Sequence, residues 1–212
     1  MTDIVAIDGP AGSGKSSVAK SIARELGFLH VDTGAIYRSL AYAAMKAGIS
    51  LEDPKALANL ALSLQEINSS LEIRTEQMGN AASQISQYSE VRANLLELQR
   101  RFGRQSKTGA VLEGRDIGTV VFPNAKYKFF LTASAEQRAK RRLLELEQRG
   151  EKADYAEILQ DLTKRDERDK NRAAAPLVAA KDAILIDTSE CSLEQVVEQI
   201  KNKICLQNQP LF

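Results

Sequence analysis

The chain has 212 residues, enough to bury a sizeable core without disulfide staples, and its 43% hydrophobic and 27% charged residues suit an ordinary globular enzyme. Its 29 Lys and Arg against 28 Asp and Glu leave a net charge of +1, which excludes a nucleic-acid binder working by bulk positive charge. One histidine excludes a multi-histidine metal centre, no apolar run reaches the ~20 residues of a membrane span, and two cysteines without metal-ligand spacing read as idle thiols of a reducing cytoplasm.

Ile4–Ile7 is a short apolar, partly β-branched run, the pattern of a buried strand. It leads into Gly9-Pro10-Ala11-Gly12-Ser13-Gly14-Lys15-Ser16-Ser17, where Gly9, Gly14, Lys15 and Ser16 keep P-loop spacing. A helix is predicted over about 15–26, with Val18, Ala19, Ile22, Ala23 and Leu26 at helical spacing and Gly27 as its stop. Strand, loop and helix are the context the motif needs, so residues 9–17 are expected to bind ATP. The glycines let backbone approach phosphate oxygens, Lys15 reaches the outer phosphates, and the Ser16 hydroxyl serves Mg²⁺, partly through water.

Phe28–Val31 reads as the second strand, and a structural role is expected for His30 within it. Asp32 or Thr33 caps the next helix, over about 35–47. Arg38, one turn past Gly34, is placed at the carboxyl edge of the sheet, where open α/β sheets bind ligands, and is expected to clamp a second anion. Nearly eighty residues then separate the second and third strands, so an insertion is predicted. It carries helices over about 54–65 and 88–104, with Pro54 in a first turn, and a small strand at Leu71–Arg74 in the polar stretch Asn68–Asn80.

Ala110–Leu112 is the third strand, followed by Glu113, Arg115 and Asp116 on a loop. Arg115 can pair bidentately with phosphate, and Asp116 can accept from an exocyclic amino group or orient Arg115. Tyr127–Leu131 and Ala183–Ile186 complete five apolar runs, with helices over about 135–148, 154–170 and 192–204. Near-continuous apolar strands alternating with helices predict an α/β fold, a five-stranded parallel sheet flanked by helices. The polar joint at Gln148–Lys152 is either a surface loop or a lid tip. Arg138, Arg141, Arg142 and Arg149 share one helix face with Glu145, and Arg165, Arg168 and Arg172 share another. Such faces are either solvated or suited to planar, bidentate contacts with a polyphosphate. Asp187, at the end of the last apolar run, is read as a plain strand end rather than a Mg²⁺ site.

A phosphate monoester acceptor is already mostly deprotonated at neutral pH, since its second pKa is about 6, so transfer to it needs no general base. Alignment and charge neutralisation suffice, which suits an arginine-rich, histidine-poor site. A nucleoside monophosphate kinase is the reading. The alternatives are a kinase of another small metabolite, such as shikimate or dephospho-coenzyme A, and a P-loop ATP-binding protein without transferase activity.

IDGPAGSGKSSVAK, DTGAIYR, NAASQIS with VRANLLELQR, EGRDIGTVVFPNAKYKFFLTAS, RDERDKNRAAAPL and DAILIDTS follow one another along nearly the whole chain. In these stretches, and most specifically in EGRDIGTVVFP, the sequence resembles the bacterial cytidylate kinases, nucleoside monophosphate kinases of the P-loop class. The resemblance implies ATP- and Mg²⁺-dependent phosphorylation of CMP and dCMP. It implies one kinase domain: a core of about 1–33 and 106–212, a monophosphate-binding insertion of about 34–105, and a lid of about 146–158. Thr33 matches an acceptor-binding hydroxyl, and Arg38 and Arg115 match acceptor-phosphate contacts. Ser83, Arg92 and Asp116 match residues that recognise cytosine; Arg165, Asp169 and Arg172 match positions serving the acceptor's phosphate, ribose and base surroundings. Lys15, Arg115 and Arg165, with Arg142 and Arg149 from near the lid, are the expected catalytic set. Only Gln65–Glu72 precedes Ile73-Arg74-Thr75, so the insertion is shorter than family members commonly carry. Small-molecule substrates, no nucleic-acid or membrane partner, and a cytoplasmic monomer are expected.

Overall fold

The computed structural model describes residues 3–68 and 70–207. Five strands, β1 (Asp3–Asp8), β2 (Leu29–Asp32), β3 (Gly109–Gly114), β4 (Tyr127–Thr132) and β5 (Ile184–Asp187), form one sheet in the order β2-β3-β1-β4-β5. Every neighbouring pair is parallel, with Val5 opposite Val111 and Tyr127 at the centre. Strand side chains alternate between faces, so β1 feeds two cores. Val5 and Ile7 pack with Val18 and Ile22 of α1 (Lys15–Leu26) and with Val197 and Ile200 of α8 (Leu193–Gln207). Ile4 and Ala6 pack with Leu112, Ile117 and Val121 on the other face. Ile7, Ile22 and Leu112 are fully buried, each contributing about 1.5–3 kcal/mol of apolar transfer free energy.

Between β2 and β3 the chain builds a helical layer: α2 (Thr33–Lys46), α3 (Pro54–Ser63), α4 (Glu76–Ile85) and α5 (Ser89–Arg104). These four share a core of Ile36, Leu40, Leu57, Ile85, Val91 and Leu95. The side chains of Asp32, Asp53 and Thr75 accept from Ala35, Ala56 and Met78 and so start α2, α3 and α4. Pro54 in the first turn of α3 lacks only an N–H that the helix would not have used. The expected strand at Leu71–Arg74 is instead a single 3₁₀ turn, and α4 follows it. Among the described residues no strand pairs with this segment to satisfy an extended backbone there, whereas a local turn satisfies itself.

After β4, α6 (Ala135–Gln148) and α7 (Tyr155–Asn171) pack as a hairpin around Ala139, Leu146, Ile158 and Leu162, with Ala11 of the P-loop in the same cluster. Residues 149–154 join them as an irregular turn. Because all five strands are parallel, the segments that leave β1, β2, β3, β4 and β5 meet at one edge of the sheet. The cleft lies at that edge.

Candidate active site

The cleft holds about 670 Å³ and runs from the P-loop, past the ends of β2 and β3, to α4 and α7. At one end, Gly9 has φ +148° and an added Cβ would lie 2.0 Å from the Leu131 carbonyl oxygen, so only glycine lets β1 turn into the loop beside β4. Donors behind the loop occupy three of its carbonyls: Lys15 Nζ on Pro10, Arg138 Nη1 on Ala11 at 2.9 Å, and Thr188 Oγ1 on Ser13 at 3.2 Å. Of the expected ATP contacts, Ala11, Gly12, Gly14, Lys15, Ser16 and Ser17 line the cleft. Gly9, Pro10 and Ser13 are buried behind it, bracing the turn and receiving Lys15. Burial, helped by the nearby Arg115 charge, holds the Lys15 ammonium well below its ordinary pKa.

Glu113 is the last but one residue of β3 and not part of a loop, because the strand pairs with β1 as far as Gly114. Its carboxylate, 4% exposed, accepts from Ser16 Oγ at 2.6 Å and from His30 Nε2 at 2.9 Å. The strand acid beside the P-loop serine is therefore Glu113. Asp187 instead accepts from the Ser189 amide on the exposed side of β5 and does not line the cleft. Among the described residues no group of three or more His, Cys, Asp or Glu could hold a metal by itself. That donor set fits Mg²⁺, which takes one or two protein oxygens and completes its shell with substrate phosphate and water. An apolar run ending in an acid was the available signal for Glu113; its contact with Ser16, 97 residues away, carried none.

Beyond the P-loop the cleft wall is ionic. Asp32 caps α2 through Ala35 N at 3.0 Å and pairs with Arg38 at 2.8 Å. Burial pushes the Asp32 carboxyl up, but the Arg38 charge and the two hydrogen bonds outweigh it and hold it below its ordinary pKa. Thr33 Oγ1 donates to the Glu113 carbonyl at 2.7 Å. Asp169 of α7, 3% exposed, accepts from Ser83 Oγ at 2.9 Å and Arg115 Nε at 3.0 Å. Asp116, 4% exposed, pairs with Arg92 and lies 4.0 Å from Arg172. The Arg92 guanidinium also covers the Tyr37 ring at 5.5 Å, so this part of the cleft carries an aromatic wall as well as charges.

Positive charge is left over at the centre. Among the described residues Arg165 has no acid within ion-pair distance, and its Nε is buried without a hydrogen-bond partner. Burial and the neighbouring Arg115 lower its pKa to about 10. Arg38 Nε and Arg172 Nη2 are also buried without a hydrogen-bond partner, although each guanidinium has an acid within ion-pair distance. Buried donors without acceptors are costly, and a bound anion removes that cost.

The arginine faces of α6 and α7 divide. Arg142 and Arg149 reach the cleft, where Arg142 pairs with Glu76 of α4 and Glu145, and Arg149 with Glu145. Arg141 reaches it too, while bonding Thr188. Arg138 does not line the cleft: it is 3% exposed and forks onto Asp166, bracing the P-loop from behind. Arg168 lies outside the lining, whereas Arg165 and Arg172 are in it. Thr33, Arg38, Ser83, Arg92, Arg115, Asp116, Arg165, Asp169 and Arg172, scattered over 140 residues of sequence, all meet on this one surface.

A glycine-loop anion cradle sharing one cleft with a second, arginine-lined basin puts the molecule among the P-loop phosphotransferases. The family model described as cytidylate kinase matches residues 5–206, and the chain belongs to that family. A cytidylate kinase from Citrifermentans bemidjiense is 46% identical, with 95% of this chain and 92% of that protein covered. One from Rhodopseudomonas palustris is 50% identical over 90% of each. In fold, the chain is similar to the crystal structure of TT1252 from Thermus thermophilus, with a TM-score of 0.51, 17% identity and 99% of each chain covered.

Proposed function

We propose that the chain transfers the γ-phosphoryl group of ATP to CMP and dCMP, giving ADP with CDP or dCDP. The observation that carries this reading is the excess cation in the cleft: Arg165, with no acid within ion-pair distance among the described residues, lines one surface with Arg115, the desolvated Lys15 and the Asp116–Arg92 pair. A phosphate oxygen of the acceptor forms the new P–O bond as the bond to the ADP oxygen breaks. No side chain has to take a proton, because the acceptor phosphate is already mostly deprotonated. Lys15, Arg165 and Arg115 hold the transferring and acceptor phosphates; Arg38 holds the acceptor phosphate from the α2 side. Asp116, Arg92 and Ser83 receive the cytosine, and Asp169 accepts from the ribose. Ser16 and Glu113 would hold Mg²⁺, which would supply charge neutralisation to the outer phosphates of ATP.

Arg142 and Arg149 exchange Glu76 and Glu145 for phosphate oxygens when nucleotides enter. Segment 34–105 serves as the acceptor-binding insertion, and residues 146–158, the end of α6, the irregular turn 149–154 and the start of α7, as a small lid that keeps water from ATP. No helix among the described residues is long and apolar enough to cross a membrane. Two free thiols, one exposed, suit a reducing cytoplasm, and the P-loop and acceptor residues all line one cleft of a single chain, which supports a monomeric enzyme. A coupled ADP-release assay with CMP, dCMP, UMP, AMP, GMP and shikimate tests the reading. Turnover is expected to be highest with CMP and dCMP; ADP release indifferent to every monophosphate would refute it.

A further inference from the structure

Asp8 is the last residue of β1 and immediately precedes the P-loop. It is 4% exposed and belongs to neither basin of the cleft. Its two carboxylate oxygens each take one backbone donor: Oδ1 accepts from Ile117 N and Oδ2 from Gly118 N, both at 2.8 Å. Those amides directly follow Arg115 and Asp116. Just beyond them the backbone closes a single wide turn over Ile117–Val121, in which the Asp116 carbonyl receives both Val120 N and Val121 N. Gly118 packs tightly, since an added Cβ would lie 3.2 Å from Lys128 Cδ and 3.4 Å from Asp8 Oδ2. One carboxylate thus ties the root of the ATP-binding loop to the segment that presents both acceptor residues.

We infer that Asp8 is a positioning residue for acceptor recognition: its two-amide clamp sets where Arg115 and Asp116 stand relative to the P-loop. This rests on the roles proposed above for those two residues. A carboxylate is needed because two N–H groups converge on it. Asparagine has the same shape but only one oxygen, and its amide nitrogen would face the other N–H, donor against donor. The group is also retained against its own solvation. Burial raises its pKa to about 6, with the Asp116 charge adding to the rise and the two amides and Lys15 opposing it. A methyl-packed or neutral residue would be the cheaper occupant if only the sheet mattered.

Asp8→Asn separates positioning from general structure. Displacing a binding group by about 1 Å can cost on the order of 10²-fold in rate, so the acceptor side has much to lose. With ATP saturating, KM for CMP is expected to rise about tenfold or more and the preference for CMP over UMP to fall. ATP binding, measured by calorimetry without acceptor, should stay within about twofold, which also reports that the P-loop and fold are intact. Hydrogen exchange at the Ile117 and Gly118 amides should accelerate. Asp8→Ala, which removes both acceptors, should move every readout further the same way. The inference is overturned if Asp8→Asn keeps KM for CMP and the CMP/UMP preference, if ATP and CMP weaken by one common factor, or if exchange at the two amides is unchanged. A wild-type protein that ignores CMP would sink the functional reading instead, while the exchange data would still decide whether Asp8 holds the loop.

Discussion

Replacing Arg165 by Met should stabilise the ligand-free protein while disabling it. Folding lowers the Arg165 pKa to about 10, through burial first and the Arg115 charge second. At pH 7 the side chain is charged in both folded and unfolded states. The lowered value therefore measures free energy spent on holding that charge in place. At 1.36 kcal/mol per tenfold, the cost is up to about 3 kcal/mol. Among the described residues no acid lies within ion-pair distance of the guanidinium and its Nε lacks a partner, and the attraction of the more distant Asp169 and Glu76 is already outweighed in the lowered pKa, so the substitution breaks no close ion pair to offset the gain. Methionine keeps the length and packs adaptably. Urea unfolding at pH 7 without nucleotide should place Arg165→Met above the wild type by 1–3 kcal/mol. With ATP and CMP present the order should reverse, because nucleotide at 100 times its Kd adds about 2.7 kcal/mol to whichever protein still binds it. Turnover should fall by 10²-fold or more. An Arg165→Met protein less stable than wild type without ligand would refute the claim that this charge waits for phosphate.

Three other outcomes follow from the same geometry. Lys15→Met should lose about 10²–10³-fold in turnover without lowering the unfolding midpoint, since a desolvated ammonium is removed from a fold that disfavours it; this is read by ADP release and thermal melting. Asp116→Ala leaves the buried Arg92 without its acid, so denaturant unfolding should show a loss of about 3–5 kcal/mol, and surviving activity should no longer favour CMP over UMP. The Asp8 carboxyl, raised to about 6 by burial, binds its proton more tightly in the folded state than in the unfolded one. Its stabilising contribution is therefore full below about pH 4 and lost as pH rises through about 6, amounting to about 3 kcal/mol. Unfolding of Asp8→Asn relative to wild type should shift in the variant's favour by about that amount between pH 4 and pH 7; parallel curves would exclude the raised pKa.

The centre of the sheet was legible because β1 and β3 are buried on both faces and so read as apolar runs, Val5 and Ile7 feeding one core and Ile4 and Ala6 the other, while the edge strands β2 and β5 stay apolar runs even though Leu29 and Leu185 are exposed. The P-loop was legible because its chemistry is local: fixed spacing, glycines where φ is positive, a helix start. What was hidden is what sequence separates. Helix α4 carries Gly79, Asn80 and Ser83, weak helix formers that blur the helical signal, and it forms because Met78, Ala82 and Ile85 are buried there. The end of β3 looked like a loop because of its glycines and charges, yet pairing with β1 keeps it extended and points Glu113 at Ser16. Arg138 and Arg142 lie on the same helix, four residues apart, but one braces the P-loop and the other faces the cleft; only the position of Asp166 and Glu76 across the packing interface separates them. The clamp of Asp8 joins residues 109 and 110 positions apart.

The central claim is that two nucleotides meet end to end on a surface of backbone amides and guanidinium groups. A crystal structure with CMP and ADP tests it most directly. The account predicts the CMP phosphate within hydrogen-bond reach of Arg38, Arg115 or Arg165 and the pyrimidine edge against Asp116, with ADP phosphates on the P-loop. CMP bound elsewhere, or with its base turned away from Asp116 and Arg92, would contradict it.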